Sequence, residues 1–210
     1  MTGVITLFLL RHNSLDPLPR LPAWSAWPAC LACLPGLPAS LAYLPACKYC
    51  SAAKESATGI AFPGLCDGQP FCGAGVRVKY GFVKVYAVGI YSNGKSIEEL
   101  LDQNTDITIR IVMNRGLSVE KYTAAIAEAL EPRMKGEDMH KLEDFKKLQP
   151  PGDMPEGAEN VMTIKGDTMH FRSSLGGLGS IKSSVLCAAL RDVYLGADPV
   201  SPALKKNLFN

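Results

Sequence analysis

Histidine is scarce, three in 210 residues, and only His140 and His170 lie beyond residue 54. Neither stands at ligand spacing from cysteine, aspartate or glutamate, so no metal site is expected. Net charge is small as well, +2 at neutral pH, which denies the chain the basic face that nucleic-acid binding requires. Long apolar runs are missing. The cleanest one near the start, residues 4–10, falls far short of the roughly 20 residues a membrane-spanning helix needs, so no integral membrane association is expected. No Gly-x-Ser-x-Gly elbow, phosphate loop or dinucleotide fingerprint occurs. Gly73-Ala-Gly75 is too short, and Gly176-Gly-Leu-Gly179 precedes a strand where a nucleotide motif would open a helix. No cofactor is implied.

What is present is unevenly distributed. Residues 1–54 hold seven of the 15 prolines and four of the seven cysteines, with a single acid, Asp16. Leucine, proline, alanine and cysteine recur there as low complexity, and proline at this density opposes both regular helix and central strand. Cys30-x2-Cys33 and Cys47-x2-Cys50 approximate a four-thiolate zinc spacing. The repeat itself generates cysteines, however, and the polar residues that would donate to the sulfurs are lacking, so coincidence is the better reading. Acid poverty and scattered serines suit an organelle transit peptide, a plastid one included, ahead of a cytoplasmic location; residues 4–10 imitate a secretory core without basic residues before it. From Glu55 onward 18 basic residues balance 19 acidic ones. We therefore expect an extension over 1–54 and one domain over 55–210. Cys66, Cys72 and Cys187 are odd in number and match no motif, which points to buried thiols and away from a disulfide framework.

Within the domain the pattern predicts strands from about residue 73 to 80 and from 82 to 91, rich in β-branched and aromatic residues and parted by Gly81. Ser96-Ile-Glu-Glu99 reads as a capping box before a short helix, and residues 107–113 alternate as a strand. A helix opening at Ser118 places Val119, Tyr122, Ile126 and Leu130 on one face. A second repeats Met139, Leu142, Phe145 and Leu148 until Pro150-Pro151 stops it. Residues 161–165 and 168–172 flank Gly166-Asp167, a two-residue hairpin signal. A last helix, 183–195, turns Val185, Leu186, Ala189, Leu190 and Val193 inward and ends at Gly196. Strands, helices, strands and a helix argue for α+β, an antiparallel sheet covered on one face by helices.

Three side chains could carry chemistry. Arg77 sits between two valines in a strand, Tyr86 lies within an apolar strand, and Tyr122 stands on the apolar face of its helix. Read singly, Arg77 is a solvated strand arginine and the tyrosines are core residues, each needing one partner for its hydroxyl.

Taken together with their surroundings they resemble a known family. Phe71-Cys-Gly-Ala-Gly-Val-Arg77, Phe82-Val-Lys-Val-Tyr-Ala-Val-Gly-Ile-Tyr91 and Ser183-Ser-Val-Leu-Cys-Ala-Ala-Leu-Arg-Asp-Val-Tyr-Leu-Gly196, followed by Asp198-Pro-Val-Ser-Pro202, resemble the chalcone isomerase superfamily in order across 55–210. The resemblance implies an open-faced β-sandwich, a large antiparallel sheet under a layer of helices with a ligand cleft between. The superfamily includes isomerases that close chalcones to flavanones, fatty-acid-binding relatives and non-catalytic auxiliary members. Arg77 matches the isomerases' strand arginine, which steadies the developing enolate, and Tyr122 their helix tyrosine. Tyr86 stands where they carry threonine, Ala129 where they carry asparagine, and their last-helix hydroxyl falls near Cys187 or Ala188. A tyrosine in the cleft and the loss of polar recognition disfavour flavonoid cyclisation. An arginine and strand tyrosine at the positions of Arg77 and Tyr86 hold a carboxylate in the fatty-acid-binding relatives. The resemblance therefore implies a non-catalytic binder of a fatty acid or similar apolar carboxylate, with Arg77 and Tyr86 as anchor and Tyr122 lining the cleft. The alternatives are an isomerase, an intramolecular lyase using Arg77 and Tyr122, and an interaction protein with a vestigial cleft.

Overall fold

The structure is a computed structural model that describes residues 51–210. The expectations for residues 1–50, Cys30, Cys33, Cys47 and Cys50 among them, lie outside the described residues. In chain order the elements are β1 (Ala53–Lys54), β2 (Ala61–Phe62), β3 (Leu65–Cys66), β4 (Gln69–Lys79), β5 (Val83–Ser92), α1 (Ile97–Leu101), β6 (Ile107–Met113), β7 (Leu117–Ser118) and α2 (Val119–Met134). There follow α3 (Met139–Leu148), β8 (Asp153–Met154), β9 (Glu159–Lys165), β10 (Thr168–Ser173), β11 (Leu178–Lys182), α4 (Ser184–Leu195) and α5 (Pro202–Asn207). Seven strands form one open antiparallel sheet in the order β11-β10-β9-β6-β5-β4-β3, with the helices α2 and α3 inserted between β6 and β9. The expected α+β architecture is the one observed.

The two-residue period of the strands decides which side chains meet the helices. Ile90 faces Ile109, and Ile109 faces Met162, so that three central strands present one apolar row to the helical layer. From above, α2 lowers Tyr122, Ile126, Leu130 and Met134, spaced to share one stripe, while α4 lowers Leu186, Leu190, Val193 and Tyr194. These residues merge into a single buried core. Val185, expected inward, is only half-buried. Ser96, Ser118 and Ser183 cap α1, α2 and α4 through their side-chain oxygens, as the sequence signals required.

The opposite sheet face carries a smaller cluster under the β1–β2 arm, where Phe62 lies against Gly89 and stacks on Phe71 at 6.1 Å between centroids. A side chain at residue 89 would collide with that ring. The expected boundary at residue 55 falls inside this arm, because Lys54 already pairs with Ala61. The cysteines Cys66, Cys72 and Cys187 are free and buried.

Several elements left no trace in the pattern. Strands of two residues have no period to read, and β4 begins at Gln69, four residues ahead of the expected start, where Pro70 tolerates an edge position beside β3. Helix α5 was missed although Ser201-Pro202 is a capping residue followed by proline at the first turn. Its place explains the Gly73-Ala-Gly75 motif: a Cβ on Gly75 would overlap the backbone nitrogen of Leu204, and one on Gly73 would stand 2.6 Å from the Asn207 carbonyl oxygen. Ser201 Oγ and Asn207 Nδ2 donate to the carbonyls of Val76 and Ala74 at 2.8 and 3.1 Å, locking helix to strand.

Arg191 is completely buried in α4 without a carboxylate partner. It donates instead to the carbonyls of Leu100 and Thr105, both at 2.7 Å, and so fastens the end of α1 and its following loop to the helical layer. Burial lowers its hold on the proton, against the pull of Cys187, Asp106 and Asp102. Arg191→Met leaves those carbonyls without donors and is expected to cost about 2 to 4 kcal/mol of unfolding free energy. Urea denaturation followed by circular dichroism measures it, and a loss under about 0.5 kcal/mol would contradict the assignment.

Candidate ligand cleft

The antiparallel register places Arg77 directly opposite Tyr86 on the helical side of the sheet. One residue further the register shifts, Val78 facing Lys84, so that Val85 is the extra residue of a β-bulge. A bulge at this point re-aims side chains and ends regular pairing, which opens the end of the sheet. Opposite, the short β7–β8 pairing and the Val119 N–H, which donates to the Gly152 carbonyl at 2.9 Å, fix the start of α2. Tyr122 lies one turn in. Between these supports lies a cleft of about 610 Å³.

Arg77, Tyr86 and Tyr122, which the sequence nominated separately, line this one cleft. Arg77 Nη1 donates to Tyr86 Oη at 3.2 Å, with the guanidinium carbon 5.6 Å from the Tyr86 ring centroid. The Tyr86 and Tyr122 rings meet edge to face at 6.3 Å. Ala129 packs at the margin of the core, Cys187 is buried within it, and neither they nor Ala188 line the cleft. His140 and His170 are exposed. Among the described residues no cluster of His, Cys, Asp and Glu is placed to hold a metal.

Tyr194, which the sequence reading did not single out, completes the site from α4. Its hydroxyl is 3.5 Å from that of Tyr86. Both phenols are buried, and either oxygen can be the donor of this pair. The Tyr86 oxygen thus accepts from Arg77 and lies within reach of the Tyr194 hydroxyl, so the three groups form one run of polar atoms beside the cleft. The signal was available: Tyr194 falls four residues after Leu190 on the inward stripe of α4.

Electrostatically the cleft is cationic. Arg77, Lys79, Arg115 and Lys121 line it against one acid, Glu128, while Val83, Val85, Leu117, Ala124 and Ala125 supply an apolar wall. Burial works against the charge on Arg77, but the neighbouring Tyr86, Tyr194 and Tyr122 outweigh it and raise its pKa. Burial pushes the phenols of Tyr122 and Tyr194 far above the ordinary range, with the neighbouring tyrosines adding to the shift. Asn160 eases that of Tyr122 slightly without closing a geometric hydrogen bond to it. Such phenols are proton donors and not bases near neutrality. The arrangement can seat an anion with an apolar tail: one anionic oxygen on the free N–H groups of Arg77, the other on the Tyr86 hydroxyl.

A seven-stranded open antiparallel sheet beneath a layer of helices, with a cleft at one end, defines the class as an open-faced α+β sandwich. The chain belongs to the chalcone isomerase-like family, whose model matches residues 70–210. Among solved structures it is similar to a fatty-acid binding protein of Arabidopsis thaliana, at 22% identity and a TM-score of 0.64, over 74% of this chain and 94% of that one. No curated protein matches the sequence.

The buried acids have a consequence at alkaline pH. The Cys66 and Cys187 thiols are pushed up to about 11 by burial, and Tyr91, Tyr122 and Tyr194 are raised from 10.0, again chiefly by burial. Each group keeps its proton in the folded chain at a pH where the unfolded chain releases it. Their contribution is therefore whole below about pH 9 and is lost as pH rises, at about 1.4 kcal/mol per unit for each group in its window. Urea melts at stepped pH, with ultraviolet absorbance of tyrosinate, test this: three phenols should ionise only on unfolding. Their ionisation with native circular dichroism intact would refute it.

Proposed function

We propose that this protein binds a fatty acid or a similar apolar carboxylate in the cleft and performs no chemistry on it, within a ligand-binding domain that starts near residue 55. The observation that carries the reading is the state of Arg77. Every other buried or half-buried arginine in the described residues has a carboxylate or carbonyl partner. Arg110 pairs with Glu159, Arg133 with Asp192, and Arg191 with two carbonyls, while even the exposed Arg172 pairs with Asp67. Arg77 has one phenol and, among the described residues, no carboxylate or carbonyl. A half-buried guanidinium with donors to spare, beside a phenol that lines the same cleft, is complementary to a carboxylate and costly to leave unmet.

The apolar wall supports the tail. Each methylene taken from water contributes up to about 0.8 kcal/mol, less the cost of ordering the chain. No proton transfer is required, which accords with Tyr86 and Ala129 standing where the isomerases carry threonine and asparagine. The vestigial-cleft reading is disfavoured because Arg77 faces a cleft and not bulk solvent.

Native mass spectrometry of the full chain, with lipid extraction, tests the proposal beside Arg77→Ala and Tyr86→Phe. Wild type should carry or take up a fatty acid. Arg77→Ala should weaken binding by about tenfold to a hundredfold, the equivalent of about 1.5 to 3 kcal/mol for a charge-assisted bond, and Tyr86→Phe by about fivefold. A wild type that stays empty with fatty acid added overturns the reading. Arg77-dependent cyclisation of a chalcone would favour an isomerase in its place.

A further inference from the structure

The cleft opens beside the loop joining β4 to β5, residues 80–82, Tyr-Gly-Phe. Tyr80 and Gly81 both hold left-handed backbone, at φ 56° and 79°. Such turns take asparagine, aspartate or glycine at least cost, and a bulky aromatic is an outlier there. Tyr80 and Phe82 are also 76% and 79% exposed, and Val78 is 42%. Six large hydrophobic side chains are exposed among the described residues, and three of them fall within these five consecutive positions. The exposure is therefore concentrated around the β4–β5 turn, whose Tyr80 lines the cleft. Cations surround it: the Lys79 ammonium lies 5.4 Å from the Tyr80 ring centroid, Lys84 donates to the Ala57 carbonyl beside the loop, and Arg115 and Lys121 line the opposite rim.

We propose that this loop docks the protein reversibly on an anionic lipid bilayer, with Tyr80 and Phe82 seated at the headgroup level and the rim cations against the headgroups. Tyrosine favours that zone because ring and hydroxyl are satisfied at once, phenylalanine adds apolar area at the headgroup and acyl boundary, and each lysine or arginine near an anionic surface adds to the attraction. Two rings on the loop and a valine at the end of β4 offer far less than the roughly 800 Å² per partner that a stable protein interface buries. A bilayer needs only anchors and charge. No helix in the described residues is long and apolar enough to cross a membrane, so the attachment is peripheral. The docked orientation turns the cleft mouth to the membrane and rests on the fatty-acid reading for its purpose: an acyl chain passing between them need not cross water.

Co-sedimentation of the full chain with vesicles of phosphatidylcholine alone, or mixed with phosphatidylserine, tests the inference. Binding to the mixed vesicles should exceed that to the neutral ones by about tenfold and fall with added salt. Phe82 does not line the cleft, so Phe82→Ser should weaken docking by about tenfold while fatty-acid uptake in solution persists. Lys79→Gln/Lys121→Gln should abolish the preference for phosphatidylserine. Indifference of the wild type to phosphatidylserine, or equal sedimentation of wild type and Phe82→Ser with native circular dichroism, overturns the proposal. A protein that docks but carries no fatty acid would retire the cargo and keep the surface; one that carries fatty acid and ignores both vesicles would do the reverse.

Discussion

The pairing of β4 with β5 sets the terms for the rest of the molecule. Along most of its length it is regular, and the row of Val88 and Ile90 passes its apolar character through β6 to β9, giving the helices a surface on which to settle. Near each end the register slips by a residue, at Cys72 on β4 and at Val85 on β5, and the second slip opens the end of the sheet. The same pairing thus builds the core and interrupts it, and the interruption lies next to the one cross-strand pair, Arg77 with Tyr86, that combines a charge with a phenol.

Charge inside the domain is managed by local supply of oxygen. Arg191 draws on two carbonyls at a helix end, and Arg110 on a carboxylate across the sheet together with the Ala61 carbonyl. Among the described residues Arg77 is held by aromatic groups alone. The three tyrosines around it come from β5, α2 and α4, so a single polar centre ties both layers of the sandwich together. Loss of any one of them would be felt in packing as well as in recognition.

How much of this was legible in the sequence depends on length and period. Long alternating strands and the stripes of α2 and α4 declare themselves, because burial on one face imposes a repeat of two or of about four. The β7–β8 clamp does not, since two residues cannot show a period, although it fixes the helix start on which Tyr122 depends. Arg77, Tyr86 and Tyr122 were visible as residues, but read singly they share no site: the family resemblance grouped them, and register and helix placement are what bring them to one cleft. For Tyr194 the inward stripe of α4 signals burial alone: nothing in it separates a packing tyrosine from one whose hydroxyl completes a site. The cations of the rim, Lys79, Arg115 and Lys121, are scattered over more than forty positions and converge only in three dimensions.

The close seat of α5 on β4 bears on the order in which the domain is made. The strand that carries Arg77 pairs early with β5, its neighbour in sequence, but its free carbonyls at Ala74 and Val76 wait for partners 133 and 125 residues downstream. During synthesis the arginine strand therefore leaves the ribosome long before the helix that covers its glycines, and loop closure over that span is slow compared with hairpin formation. Until residues 201–207 emerge, the nascent chain exposes a glycine-lined strand beside its binding cleft, the stretch where a chaperone or a neighbouring strand would find backbone to bind.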